Sequence, residues 1–163
     1  MKACLILISA FLLFGDAGAQ YQKMAKSNSA NLAGFGSHLN ASWTKHLTNR
    51  NSLTLGGFYF SDNSKSIDTD NLGADLSFDR WLWRLGNFYV TSGSGLFLSH
   101  TNAQSPAGGH TNDFSFGLEL RGELEFYPVW WLVFSVRADQ MIFFGSEFFN
   151  SKFILGWGAK VVF

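Results

Sequence analysis

The chain has 163 residues with twelve basic and twelve acidic side chains, so it is long enough for one domain and carries no formal net charge. Neutrality argues against the basic surface typical of nucleic-acid-binding proteins, and we expect no direct nucleic-acid partner. Aromatic residues make up 17% of the chain and charged residues only 15%, an unusual balance for a soluble protein whose aromatic side chains are mostly interior.

The amino terminus has the pattern of a secretory signal peptide. Lys2 supplies a basic start, Leu5–Phe14 forms a short apolar run, and Ala17-Gly18-Ala19 gives a small-x-small cleavage site. The apolar run falls short of the ~20 residues that a transmembrane helix needs. We therefore predict that residues 1–19 are removed and that residues 20–163 form the mature domain. The mature domain then contains no cysteine, since Cys4 leaves with the signal.

After the signal, apolar residues alternate with polar or small ones in seven segments. Alternation of this kind is typical of strands with one apolar face, and each segment has about the ~10 residues needed to cross a bilayer. We predict an all-β fold, an antiparallel up-and-down transmembrane β-barrel of about eight strands, with the weakly patterned residues 20–30 supplying the first strand. The seven clear strands are Leu32–Thr44, Ser52–Ser61, Thr69–Phe78, Asn87–His100, Asp113–Tyr127, Val129–Asp139 and Phe153–Phe163.

The predicted connections alternate between short and long. Outer-membrane barrels place short turns in the periplasm and long loops outside. Trp81 and Trp83 lie beside one short turn, which favours a membrane-interface girdle, although a packed hairpin end would give the same pattern. The short connections are Thr48–Asn51, Asp79–Gly86 and a turn at Pro128, and the long ones are Asp62–Asp68, Thr101–Asn112 and Met141–Asn150.

The last strand has one continuous apolar face that ends on an aromatic residue. In outer-membrane barrels, a terminal Phe on an alternating strand resembles the signal read by the outer-membrane assembly machinery. We therefore predict that machinery and outer-membrane lipid as partners, and the bacterial outer membrane as the location. An amphipathic strand of a soluble sandwich is the alternative. The apolar face consists of Phe153, Leu155, Trp157, Ala159, Val161 and Phe163.

Charged residues alternate with the apolar ones and are expected to point into the barrel. An eight-stranded barrel is just wide enough to be filled by side chains, so a packed polar interior is the favoured interpretation. A transport path or a catalytic acid–base pair is the alternative, since buried ionisable groups in membrane proteins are functional candidates. The predicted lumen network is Glu119, Arg121, Glu123, Glu125, Arg137, Asp139 and Lys160, joined by Asp75 and Asp79.

A tight turn at Pro128 also predicts how two of these charges pair. Symmetric pairing about that turn places Arg137 opposite Glu119. A slip of two residues would instead bring Arg137 to Arg121 or Gly117, so the contact depends on register.

The sequence has little that indicates catalysis. The motifs GxSxG, GxxxxGK[ST], HExxH and CxxC are absent. His100, His110 and Asp113 flank the longest predicted loop, but their spacing is not typical of zinc ligands. We expect no enzyme activity, no catalytic residue, no cofactor and no metal.

Part of the sequence resembles a known family. Residues Gly117 to Tyr127, Val136 to Gln140 followed by Phe144-Gly145, and Leu155 to Lys160 are similar to the conjugal transfer protein TraO of conjugative transposons. The resemblance implies a small outer-membrane barrel in a DNA-transfer apparatus, with other conjugative-transfer proteins as partners and no catalytic residues. Contacts would involve Asp62–Asp68, Thr101–Asn112 and Phe144–Asn150. A general surface barrel for adhesion or membrane integrity and a lipid-modifying barrel enzyme are the competing functions.

Overall fold

The computed structural model describes residues 27–63, 67–104 and 109–163, which form a closed eight-stranded antiparallel barrel. Each strand pairs with its neighbours in chain order, and the first strand pairs with the last to close the sheet. The predicted fold class is therefore confirmed. The strands are β1 Asn28–Phe35, β2 His38–His46, β3 Asn51–Asn63, β4 Asp68–Leu85, β5 Phe88–Gln104, β6 His110–Val129, β7 Leu132–Phe144 and β8 Ser151–Val162.

The two ends of the barrel carry different connections. Asn28 and Phe163 lie at one end, which we call the terminal end, together with the β2–β3, β4–β5 and β6–β7 connections. The opposite end, which we call the distal end, carries the four remaining connections. The seam between β1 and β8 is closed at the terminal end by two backbone hydrogen bonds. Asn28 N donates to Phe163 O over 2.8 Å, and Phe163 N donates to Asn28 O over 2.9 Å.

The outer wall is apolar and the inner wall is mostly polar. Leu72 and Leu96 are more than 60% exposed, whereas the adjacent Asn71 and Phe97 point inward and are buried. This follows from the strand period of two, which sends successive side chains to opposite faces of the sheet. A continuous apolar outer wall is the pattern of a barrel surrounded by lipid. No helix in the described residues is long and apolar enough to cross a membrane.

The first hairpin differs from the prediction. Residues 32–44, expected to form one strand, divide between β1 and β2 at a tight turn over Gly36 and Ser37. Gly36 has φ +59°, a conformation that residues with a Cβ adopt at a cost. As a result Ala33, expected on the same face as Leu39, points inward with 5% exposure, while Leu39 points outward. The predicted first strand over 20–30 lies largely outside the described residues, and the described strand starts at Asn28.

The predicted loops were too long. β4 to β6 continue well beyond their apolar segments, and cross-strand pairs reach Asp68↔Gln104 and Gln104↔His110. Backbone hydrogen bonds hold a strand together whether or not its side chains are apolar, so alternation in the sequence underestimates strand length. Segment Asp79–Gly86 is therefore mostly strand, as is the first part of Met141–Asn150. In Thr101–Asn112, residues 101–104 and 110–112 belong to strands, and residues 105–108 lie outside the described part of the chain.

The predicted turn at Pro128 was also wrong. Pro128 lies inside β6, next to an irregularity between Phe126 and Val129, and the chain turns at Trp130 and Trp131. A proline is tolerated at such an irregularity because no ladder hydrogen bond is required from its nitrogen. Because the turn lies beyond Pro128, the register differs by four residues from the predicted one, and Arg137 lies opposite Glu123 and not Glu119.

Only one of the two tryptophans predicted at the interface faces outward. Trp83 is 52% exposed, but Trp81 points into the barrel with 7% exposure. The register shift between Trp81 and Trp83 in the β4–β5 ladder separates their faces, because it breaks the simple alternation.

Candidate functional site

The interior of the barrel is divided into three layers. A cluster of apolar side chains lies at the distal end, where Asn71, Ser99, Thr101 and Ser115 are also buried, and an aromatic cluster lies at the terminal end. Charged and hydroxyl side chains occupy the space between them. The distal cluster consists of Phe58, Phe60, Phe97, Met141, Phe143 and Ile154, with Phe149 packed against it. The terminal cluster consists of Trp81, Tyr89, Tyr127, Val133 and Val162.

Arg121 is the centre of the charged layer. Its Nη2 lies 3.0 Å from Asp75 Oδ2 and 2.9 Å from Glu119 Oε1, and its Nε lies 3.3 Å from Asp139 Oδ1. Its Nη1 donates to Ser77 Oγ over 2.8 Å. The planar guanidinium suits this position because it presents five donors in a fixed arrangement. One side chain from β6 thus links carboxylates of β4, β6 and β7.

Arg137 forms the second cationic centre, on β7. Its Nη2 donates to Glu119 Oε1 over 3.0 Å, and its Nε donates to Asp139 Oδ2 over 2.5 Å. Its Nη1 donates to Asn40 Oδ1 of β2 over 3.1 Å. Glu119 and Asp139 therefore each bridge the two arginines, which makes the four charges a single unit that spans the lumen.

Lys160 is the third cationic centre and lies nearer the terminal end. Its Nζ lies 2.6 Å from Glu123 Oε2 and 2.5 Å from Glu125 Oε1. The hydroxyl of Tyr127 donates to Glu125 Oε2 over 3.1 Å, which joins this group to the terminal aromatic cluster. β8 is thereby tied to β6 across the interior, although the two strands are not neighbours in the sheet.

Asp79 connects the charged wall to an uncharged wall on β2 and β3. Thr54 Oγ1 donates to Asp79 Oδ2 over 2.6 Å, and the Thr44 and Thr54 hydroxyls are 2.9 Å apart. Gly93 on β5 leaves room for this carboxylate, because a Cβ there would collide with Asp79. Glycines in the inner wall thus make space for charged side chains.

The described interior holds more carboxylates than cations. Asp75, Asp79, Glu119, Glu123, Glu125 and Asp139 face three cations, Arg121, Arg137 and Lys160, and all nine are buried. One oxygen each of Asp75, Glu119 and Glu123 has no hydrogen-bond partner among the described protein groups. A cavity of about 20 Å³ borders Glu123, Glu125 and Lys160, which is room for about one water molecule. In the part of the chain that the structure describes, the layer is a packed plug.

The structure places one set of predicted site residues on the inner face of the barrel wall and the other set on its outer face. The seven predicted lumen residues are all buried inside the barrel and meet in the groups described above. The residues predicted as the insertion signal all point outward from β8 and its end; Phe153, Trp157 and Phe163 are more than 60% exposed. The role of these outward residues in assembly remains a prediction.

The possible metal ligands are not brought together. His100 lies opposite Phe114, and His110 lies opposite Gln104. Asp113 accepts a hydrogen bond from Glu147 N over 3.0 Å. Among the described residues no group of three His, Cys, Asp or Glu side chains is placed to hold a metal ion.

Sequence reasoning missed the charged groups on the outside of the barrel. Lys45 and Arg80 are exposed on the outer face near the terminal end, on β2 and β4. The alternation could have predicted this, because Lys45 lies two residues after Trp43 and Arg80 lies two residues after Phe78, and residues two apart on a strand point to the same face.

Comparison of the sequence with protein-family models and with curated proteins gave no match. Several solved structures are similar in fold. The N-terminal β-barrel domain of Pseudomonas aeruginosa OprF has a TM-score of 0.64 and 15% identity, covering 85% of this chain and 98% of that one. Neisserial surface protein A has a TM-score of 0.63 and 12% identity, covering 83% and 92%. Ail, the attachment invasion locus protein of Yersinia pestis, has a TM-score of 0.56 and 13% identity, covering 86% and 100%.

These similarities define the class of fold. The barrel has the architecture of the small eight-stranded outer-membrane barrels. At identities of 12–15% they carry no information on ligand or activity.

Proposed function

We propose that this protein is a non-enzymatic outer-membrane barrel that acts through its distal surface, in adhesion or in maintaining the membrane. The observation that carries the proposal is the packed interior. Two aromatic or apolar layers enclose a charged layer whose groups are engaged with one another. A barrel filled in this way offers its ends and its outer wall for interaction, and not a passage through its centre.

Placement in the outer membrane is supported by the outer wall. Leucine and phenylalanine side chains face outward along the strands, and exposed tryptophans lie near the terminal end, including Trp43, Trp83 and Trp130. Tryptophan is enriched where a membrane meets water. With the predicted signal peptide and terminal Phe163, this supports a terminal end in the periplasm and a distal end at the cell surface.

The distal end is acidic and built on extended strands. β4 to β6 continue beyond the apolar wall, so the rim is held by strand pairing rather than by long loops. Its carboxylates are Asp62, Asp68, Asp70, Asp113 and Glu147. Such a rim favours a basic or cation-bridged partner. Two of the similar structures are of a surface protein and of an attachment and invasion protein, which agrees with a surface role.

Two experiments test this function. Fractionation with heat-modifiable gel migration should place a folded barrel in the outer membrane, and recovery from the soluble periplasm would contradict the placement. Expression on a non-adherent host should increase binding to a surface bearing basic groups, and Asp68→Asn with Glu147→Gln should reduce it. If adhesion is unchanged but deletion of the gene sensitises cells to detergent, the role is membrane integrity.

A role in conjugative transfer is the more specific alternative function. It rests on the resemblance of residues 117–127, 136–140 and 155–160 to the TraO family, and the structural similarities favour the general surface barrel over it. Deleting the gene from a mobile element and scoring transfer frequency tests it directly. Transfer at the wild-type frequency would remove this alternative.

A further inference from the structure

Acidic side chains outside the charged layer are confined to one end of the barrel, where Lys152 is the one described cation and pairs with Asp62. Among the described residues, every acidic side chain that is not in the charged layer lies at the distal end. The terminal end instead carries Lys45, Arg50, Arg80 and Arg84. Basic side chains that border an apolar wall without acidic side chains beside them attract the phosphates of anionic lipids.

Lys45 and Arg80 form the core of a basic corner on this rim. The register pairs Lys45 with Leu53, and Asn51 with Arg80. Adjacent strands are ~4.8 Å apart and residues along a strand ~3.4 Å apart, so with β3 and a two-residue offset between them the two Cα atoms lie on the same face roughly 12 Å from each other. Asn51 lies beside Arg80 on β3 and adds an amide. We call Lys45, Asn51 and Arg80 the basic corner.

Arg80 has no side-chain partner among the described residues, although apolar side chains surround it. Phe78 precedes it on the outer face of β4, and Trp83 and Leu85 follow it toward the terminal end. Its cross-strand neighbours are Asn51 and Ser92, which are neutral. A guanidinium in this position is stabilised by extending toward the headgroup level and meeting an anion there.

An apolar groove begins next to the basic corner. It has a volume of about 460 Å³ and runs along the outer wall from β3 to β7. Phe78 and Leu53, which flank the basic corner, line its near end, and Leu76 and Leu96 continue into a second groove of about 400 Å³. Grooves of this size and lining accommodate an acyl chain.

We propose that the basic corner and this groove together form a binding site for an anionic phospholipid. The phosphate binds between Lys45 and Arg80, and one acyl chain lies along Phe78, Leu76 and Leu96. The charge of the corner and its continuity with the groove select a lipid over a second barrel or a soluble anion, because only a lipid fills both parts. The proposal rests on the membrane placement given above, but not on the surface role.

The test uses the full mature chain refolded into phosphatidylcholine vesicles with and without phosphatidylglycerol, followed by native mass spectrometry of the extracted barrel. The wild type should retain phosphatidylglycerol in preference to phosphatidylcholine. Arg80→Gln and Lys45→Gln should each lower that preference about fivefold, while Arg80→Lys keeps it. Lys152→Gln is the matched control, because Lys152 pairs with Asp62 at the distal end, so the change removes one positive charge far from the basic corner and should leave the preference unchanged.

Three results would overturn the site. Equal retention by wild type and Arg80→Gln would show that the corner does not select the lipid. Displacement of the lipid by inorganic phosphate alone would show a simple anion site. If the wild type forms dimers and Leu96→Trp prevents their formation, the groove is an interface between copies of the chain. Failure to insert into either vesicle would instead contradict the membrane placement, so the two proposals fail separately.

Discussion

Arg137 and Glu119 are in contact, with Arg137 Nη2 3.0 Å from Glu119 Oε1, although they are not cross-strand partners. Arg137 lies opposite Glu123, and Glu119 lies opposite Met141. The contact predicted from symmetric pairing is present, but the register that predicted it is wrong. The arginine side chain reaches along the lumen to a carboxylate four positions away on β6. Glu119 is shared, since Arg121 binds the same oxygen.

The shared carboxylate predicts strong coupling between Arg137 and Glu119. Removing one member of a buried ion network leaves the others uncompensated, so Arg137→Met alone should cost ~3–5 kcal/mol of unfolding free energy. Combining it with Glu119→Leu should cost less than the sum of the two single changes by ~1–3 kcal/mol. Urea unfolding of the refolded barrel measures all four proteins of the cycle.

A second cycle gives the control for that coupling. Glu125 binds Lys160 and Tyr127 and not Arg137. Arg137→Met with Glu125→Leu should therefore be additive within ~0.5 kcal/mol. Equal coupling in both cycles would mean that the charged layer responds as a whole and not through the Glu119 contact.

The side chain and backbone of Phe163 are predicted to have separate roles. The backbone makes both hydrogen bonds to Asn28 at the seam, while the side chain is 64% exposed on the outer wall. Phe163→Asp keeps those bonds and, near the interface, should cost the refolded barrel only ~0–1 kcal/mol. If the side chain is the assembly signal, the same change should sharply lower the amount of barrel in the outer membrane, while Phe163→Trp should not. Normal levels of Phe163→Asp in cells would remove that role.

The orientation of the six tryptophans can be tested with brominated lipids, which quench fluorescence on contact. Single-tryptophan variants, with the other five changed to Phe, should divide into two classes. Trp157, 66% exposed on the outer wall, should be strongly quenched. Trp81, whose ring lies 4.8 Å from that of Tyr89 inside the barrel, should be unaffected. Quenching of Trp81 to the level of Trp157 would contradict its position inside the barrel.

Two glycines of β6 should respond differently to alanine. A Cβ on Gly117 would overlap the Ile142 carbonyl oxygen and the Phe97 ring, whereas a Cβ on Gly122 would meet nothing within 4 Å. Gly117→Ala should cost ~1–3 kcal/mol, since the inner wall has no room for it. Gly122→Ala should stay within ~0.5 kcal/mol of the wild type in the same urea experiment. Equal effects would mean that glycine acts through backbone entropy and not through inner packing.

The sequence by itself determined the class of fold and the side of the sheet on which most residues lie. Both depend on the local period of two, which the chain cannot change without exposing polar groups to lipid. This is why the positions of the charges from Glu119 to Lys160 in the alternation predict that they lie in the interior. The period fails at Ala33, where a turn interrupts it, and at Trp83, which a bulge places on the opposite face from Trp81.

Register, turn position and strand length were decided only by the tertiary structure. A glycine at φ +59° splits one alternating segment into β1 and β2, and the turn at Trp130 and Trp131, together with the irregularity beside Pro128, places β6 against β7 four residues away from symmetric pairing about Pro128. Closure of the barrel then brings Arg121 to carboxylates on β4 and β7, and collects Lys45 and Arg80 at one end of the wall. These contacts join residues far apart in the chain, so their formation depends on the closed sheet and not on any local pattern.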